Sequence, residues 1–210
     1  MNYATIKTYD TANGPGVRVS LFVSGCTHYC KDCFNSEAWD FNYGKPFTED
    51  TMEELMKAID REWIEGITFL GGEPLNPRNI AKVDEIIQRI RCSYPEKNIW
   101  VYSGYTLEEL LERAQDNLSI QDRDSIRSVL RNIDVLVDGP FIISKFNSNL
   151  KWRGSANQRV IDVQASLAAG TVVLHPDSNT VDKFYPEKAY DPCAGMTPEE
   201  IKAKYLDIYE

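Results

Sequence analysis

The sequence predicts an α/β protein built on an open, mostly parallel sheet. Three observations predict it. Short apolar runs recur along the chain, amphipathic helical stretches separate them, and the runs end in turns of small residues. Strands alternating with helices imply parallel neighbours joined by right-handed crossovers.

The first run, Val17-Arg18-Val19-Ser20-Leu21-Phe22-Val23, alternates as a half-buried strand does. Residues 48–60 follow as a helix: Thr48 is the expected N-cap, and Met52, Leu55, Met56 and Ile59 form one face. The second strand, Gly66 to Leu70, ends at Gly71-Gly72. A helix over residues 79–90 carries Ile80, Val83, Ile86, Ile87 and Ile90 on its core face. The third strand, Asn98 to Tyr102, ends at Ser103-Gly104. Thr106-Leu107-Glu108-Glu109 is a capping box that opens the next helix. Residues 116–131 read as a longer helical connection to a fourth strand, Ile133 to Val137, which ends at Asp138-Gly139-Pro140. Residues 158–163 and Thr171 to Leu174 are two further expected strands. Thr197, Pro198 and Glu200 start a last helix that runs to about Ile208.

At 210 residues, with 42% hydrophobic and 26% charged residues, the chain has the composition of one soluble globular domain. We expect that domain to span residues 1–210, with a less regular extension from about 175. The net charge of −9 argues against binding a phosphate backbone, so no nucleic-acid partner is expected. Neither a signal-peptide core nor a run of membrane-spanning length is present, and no membrane partner is expected. Five cysteines, three of them closely spaced, suit a reducing cytoplasm better than a disulfide framework. Cys92 and Cys193 are expected to be inert thiols.

The chemistry gathers where strands end. Cys26, Cys30 and Cys33 form a C-x₃-C-x₂-C loop directly after the first strand. Three thiolates on one short loop can hold three irons of a cubane cluster and leave the fourth open to a small molecule. The same spacing is compatible with zinc, or with a plain electron carrier, if His28, Cys92 or Cys193 supplies a fourth ligand. Gly71-Gly72-Glu73-Pro74 follows the second strand. Paired glycines bring backbone close to a ligand, and Glu73 offers an acceptor for an ammonium group.

These two motifs together resemble the radical S-adenosylmethionine superfamily. Asn13-Gly14-Pro15-Gly16-Val17-Arg18, just before the first strand, is similar to a segment of glycyl-radical-enzyme activases. Val137 to Phe141 and Arg153-Gly154-Ser155-Ala156-Asn157-Gln158-Arg159 resemble the branch of activases that serve anaerobic (class III) ribonucleotide reductases. The likeness reaches from the start of the chain to about Val163. It implies an open, mostly parallel partial (βα) barrel. It implies a 4Fe–4S cluster on Cys26, Cys30 and Cys33, with S-adenosylmethionine chelated to the open iron. An external donor supplies an electron, the sulfonium is cleaved to methionine and a 5′-deoxyadenosyl radical, and that radical takes hydrogen from a glycine in the reductase large subunit. Asp32, Cys33, Phe34, Gly71, Gly72, Glu73, Ser103 and Asp138 are the cofactor-binding residues it implies. Asn13 to Gly16 become candidates for contact with the incoming peptide, and Ser155, Asn157, Gln158 and Arg159 for contact with the cofactor or the partner's glycine loop; His28 has no assigned role. Two departures stand out. Asp32 occupies the position before the third cysteine where many superfamily members carry an aromatic residue, and Asn13 stands where related activases often have Asp. An enzyme acting on a small molecule, or a non-enzymatic iron–sulfur or zinc module, remain the alternatives.

Overall fold

The structure is a computed structural model that describes residues 1–115 and 119–179. Its strands are β1 (Asn2–Asp10), β2 (Val17–Val23), β3 (Lys45–Pro46), β4 (Ile64–Gly71), β5 (Asn98–Tyr102), β6 (Val135–Asp138) and β7 (Arg159–Asp162). Its helices are α1 (Glu49–Ile59), α2 (Ile80–Ser93), α3 (Leu107–Arg113), α4 (Ile120–Asn132) and α5 (Val163–Ala169). All strands join one seven-stranded sheet in the order β3-β1-β2-β4-β5-β6-β7. The centre, β2-β4-β5-β6, is parallel, as strand–helix alternation requires. Both edges are antiparallel: β1 pairs with β2 and β3, and β7 returns against β6. The sheet is open, since β3 and β7 are its two ends.

Alternation along each strand sends the two sets of side chains to different environments. Val19, Leu21, Val23, Ile67, Phe69, Ile99, Val101 and Leu136 join Met52, Leu55, Ile59, Val83, Ile86 and Ile87 of the helices in the main core. Trp100, Val135, Val137 and Val160 form a smaller cluster on the opposite face, covered in part by Trp152. Arg18 lies on that face too, fully buried, with its guanidinium 5.4 Å from the Trp100 ring centre. Its Nε donates to Thr68 Oγ1 at 2.8 Å, its Nη1 donates to Pro15 O at 3.2 Å, and Thr68 in turn donates to Asn13 O at 2.8 Å. The Asn13–Gly16 turn is therefore anchored from beneath. Burial pushes the Arg18 guanidinium down to about 10, because removing a charge from water disfavours it.

Helix starts follow the expected caps. Thr48 caps α1, with Thr51 completing the box, and Thr106 caps α3 with Glu109. Three expectations need correction. Thr171 to Leu174 makes no strand; it touches the sheet through a single bridge, Leu174 to Ile161. The segment expected as one strand over residues 158–163 turns helical at Val163, where the Asp162 side chain accepts from Ala165 N at 2.9 Å. The N-terminal strand β1 was not expected. The helix expected from Thr197, and Cys193, lie outside the described residues. No helix among the described residues is long and apolar enough to cross a membrane.

Candidate iron–sulfur and cofactor cleft

The loops after β2, β4, β5 and β6 all open into one cleft, at the ends of parallel strands where such sheets place ligands. The cleft encloses about 920 Å³, part of it open to solvent. Cys26, Cys30 and Cys33 line it together with Phe34, Gly71, Gly72, Glu73 and Ser103. Six of the eight residues expected to bind cofactor therefore meet there: Cys33, Phe34, Gly71, Gly72, Glu73 and Ser103. Asp32 and Asp138 are not among the lining residues. Asp32 is exposed, in the left-handed region at φ 57.

The glycine pair brings the β4 turn against the cysteine loop. Gly72 N donates to Val23 O at 2.7 Å and Glu73 N donates to Gly25 O at 2.8 Å. A Cβ at Gly72 would stand 2.6 Å from Gly25 O and 2.9 Å from Ala38 O, so only glycine allows this approach. Asn79, buried at the start of α2, fastens the same junction: its Nδ2 donates to Ser24 O at 3.0 Å and Glu73 O at 3.0 Å. The sequence marked Asn79 as a helix start only. Its side chain makes no cap hydrogen bond and serves the loops instead.

Glu73 is 1% exposed, and protein donors surround its carboxylate. Oε1 accepts from Leu75 N and Ser103 Oγ, both at 2.9 Å. Oε2 accepts from Gly104 N at 2.7 Å and meets His28 Nε2 at 2.9 Å. A carboxylate offers about four lone-pair sites, and all are engaged. The side chain thus ties three strand-end turns together.

Asp138 is likewise held inside the protein. Its Oδ1 accepts from Arg159 Nε at 2.9 Å, and Oδ2 accepts from Leu107 N at 2.9 Å and from Arg159 Nη2. Arg159 also grips Glu108, with Nη1 to Oε1 at 3.0 Å. These two carboxylates hold the guanidinium well above its ordinary value, Asp138 first and Glu108 second. The segment from Arg153 to Arg159 is similarly occupied with its own loop. Gln158 Oε1 accepts from Gly154 N and Ser155 N at 3.0 and 3.1 Å, and Gln158 Nε2 donates to Gly139 O at 3.1 Å. That clamp sets the loop carrying Phe141 and Phe146. Phe34 packs against both in a tilted arrangement, ring centres 5.2 and 5.9 Å apart, with 72% of Phe34 and 44% of Phe146 exposed. Nothing in the sequence marks Phe34 and Phe141 as neighbours at the cleft, since they stand 107 positions apart.

All three thiols are free, and Cys26 is buried. Burial pushes the Cys26 thiol up to about 11 and raises Cys30 as well, because a thiolate is poorly solvated there. Bound iron would supply the positive charge those thiolates lack. Among the described residues no three His, Cys, Asp or Glu side chains close around a single ion. Three free cysteine thiols on one cleft are the soft donors that an iron–sulfur cluster takes. The donor set therefore fits a 4Fe–4S cluster.

This fold and cleft define a single-cluster iron–sulfur protein: residues 12–161 match the family described as 4Fe-4S single cluster domain. Relatives at about 40% identity carry the name anaerobic ribonucleoside-triphosphate reductase-activating protein. That of Vibrio cholerae is 39% identical over 160 residues, 75% of this chain and 96% of the relative. That of Pasteurella multocida is 42% identical over 160 residues, covering 75% and 95%. That of Escherichia coli is 41% identical over 162 residues, covering 76% and 97%. The chain belongs to the family of anaerobic ribonucleoside-triphosphate reductase-activating proteins.

Proposed function

We propose that this chain activates an anaerobic ribonucleotide reductase by installing a radical on a glycine of its large subunit. One observation carries the reading: four strand-end loops converge on a single cleft lined by three free thiols and a glycine turn. Cys26, Cys30 and Cys33 would hold a 4Fe–4S cluster. When bound, that cluster and S-adenosylmethionine supply one-electron cleavage of the sulfonium, giving methionine and a 5′-deoxyadenosyl radical that takes hydrogen from the glycine Cα.

The chain's own residues bind, orient and exclude. Backbone at Gly71 and Gly72 would receive the ammonium end of S-adenosylmethionine, and Phe34 and Ser103 would flank the rest of the cofactor. Glu73 serves by fixing those turns, as its filled hydrogen-bond shell supports. Asp138 supports the site through Arg159 and the first turn of α3. We read the open sheet as a partial (βα) barrel whose uncovered side receives the reductase. The exposed rings of Phe34 and Phe146, both packed on Phe141 of the cleft lining, support a protein substrate, because exposed apolar rings beside a cleft favour a partner that covers them. An external donor provides the electron, and the cytoplasm is the fitting compartment.

The test is anaerobic reconstitution, reduction, and addition of S-adenosylmethionine with the reductase. A glycyl-radical doublet in the electron paramagnetic resonance spectrum is expected, and it should vanish with Cys26→Ser, Cys30→Ser or Cys33→Ser. Formation of 5′-deoxyadenosine with a small molecule, and no radical on the reductase, would overturn the reading.

A further inference from the structure

We propose that His28 is a positioning residue for the cysteine loop, a role that relies on the functional reading above only for what the loop holds. Its side chain is mostly buried and lines the cleft together with Cys26 and Cys30. Nε2 donates to Glu73 Oε2 at 2.9 Å, across 45 residues of sequence. The ring packs edge-on to Tyr105 at 4.5 Å. It also sits close against Gly104, where a Cβ would stand 2.5 Å from the ring. Glycine at 104 is thus the condition for the histidine's seat.

The loop has few other anchors. Cys26 N donates to Trp39 O at 3.1 Å, and Cys33 N donates to Cys30 O at 3.2 Å. Between them, Thr27 accepts from Asn76 Nδ2 at 3.1 Å. Immediately after His28 the backbone enters the left-handed region at Tyr29, φ 49, which a non-glycine residue holds only where its neighbours enforce it. Thr27, His28 and the Tyr29 ring, which meets Trp39 edge-on at 5.2 Å, are the side chains placed to enforce it. The His28–Glu73 pair therefore sets the arc from Cys26 to Cys30 against the same carboxylate that fixes the β4 and β5 turns. One residue couples the metal-binding loop to the cofactor-binding turns. Hydrogen-bonded groups behind a metal site orient its ligands, and their loss weakens binding. Direct ligation by His28 is a different matter, and its Nε2 is already turned to Glu73.

The experiment compares His28→Ala with His28→Gln, whose amide can still donate to Glu73. Both are reconstituted and reduced, and their electron paramagnetic resonance spectra are recorded with and without S-adenosylmethionine. The Ala variant should retain wild-type iron content, show an altered cluster spectrum, and bind S-adenosylmethionine roughly tenfold more weakly by titration of the spectral change. The Gln variant should restore both. In a Glu73→Gln background, His28→Ala should add little further loss, since the two act as one unit. A wild-type spectrum and affinity in the Ala variant overturns the proposal, as does a Gln variant no better than Ala. Iron loss in both variants overturns it in favour of ligation. If wild-type protein itself ignores S-adenosylmethionine, the functional reading fails, and the clamp is then judged on the cofactor-free spectrum, which Ala must alter and Gln restore.

Discussion

Glu73 illustrates how a residue's identity can be legible while its job is not. The sequence places a carboxylate beside the cysteine loop, and that placement holds. What sequence spacing cannot supply is the set of donors arriving from Leu75, Ser103, Gly104 and His28. Glu73→Gln keeps the shape but turns one acceptor into a donor facing other donors. The expected cost is about 2 kcal/mol, a drop in melting temperature of roughly 4–8 °C; an unchanged melt would refute the clamp. Cys26 gives a second test at this scale. With its thiol raised to about 11 by burial, alkylation of cluster-free protein at pH 8 should be slow. The rate should climb about tenfold per pH unit up to that value. Mass spectrometry of the labelled peptide, against exposed Cys92 as internal reference, reads the result. Equal labelling of the two cysteines would contradict the burial argument.

Among the elements, those with strong local signals were legible. Capping boxes at Thr48 and Thr106 and the apolar face of α2 appear where the pattern puts them. β1 was not, because its residues are mostly half-exposed or exposed and its alternation is carried by Tyr, Thr and Lys rather than by aliphatic side chains. It is a strand because β2 offers it an edge. Thr171 to Leu174 failed in the opposite sense: β-branched residues are present, but the sheet leaves them one bridge. The contact between α3 and β7 was also invisible, since 51 residues separate Glu108 from Arg159. It makes a pH prediction. Arg159 holds the Glu108 carboxyl below its ordinary value of 4.5, so the pair's contribution is complete above that pH. It is lost as pH falls through the lowered value in the folded protein. Glu108→Gln should therefore lower the melting temperature slightly at pH 6 and converge with wild type as pH falls through the lowered value. The gap stays small, because a half-exposed ion pair is worth about 0–1 kcal/mol. A gap that widens on acidification would reverse the assignment.

For the molecule as a whole, the parallel centre was legible and the antiparallel edges were not. Crossover helices announce parallel pairs, whereas β1, β3 and β7 join through loops that carry no such period. The same architecture separates stability from chemistry. The main core lies between the sheet and its helices, and none of its buried members is a cysteine. Cys26, Cys30 and Cys33 sit at the strand ends, on loops already fastened by Asn79, Glu73 and the backbone bonds of Gly25 and Gly72. Removing iron should therefore leave the fold standing, unlike a small zinc domain whose folding free energy is its metal affinity. Chelation under anaerobic conditions should keep the far-ultraviolet circular dichroism and a single cooperative melt. The midpoint should fall only by what mass action on the native state removes. Hydrogen exchange should rise in residues 26–33 and stay slow in β4, β5 and α2, whose side chains build the core. Collapse of helical signal on chelation would mean that the cluster, rather than the helix-covered face of the sheet, holds this protein together.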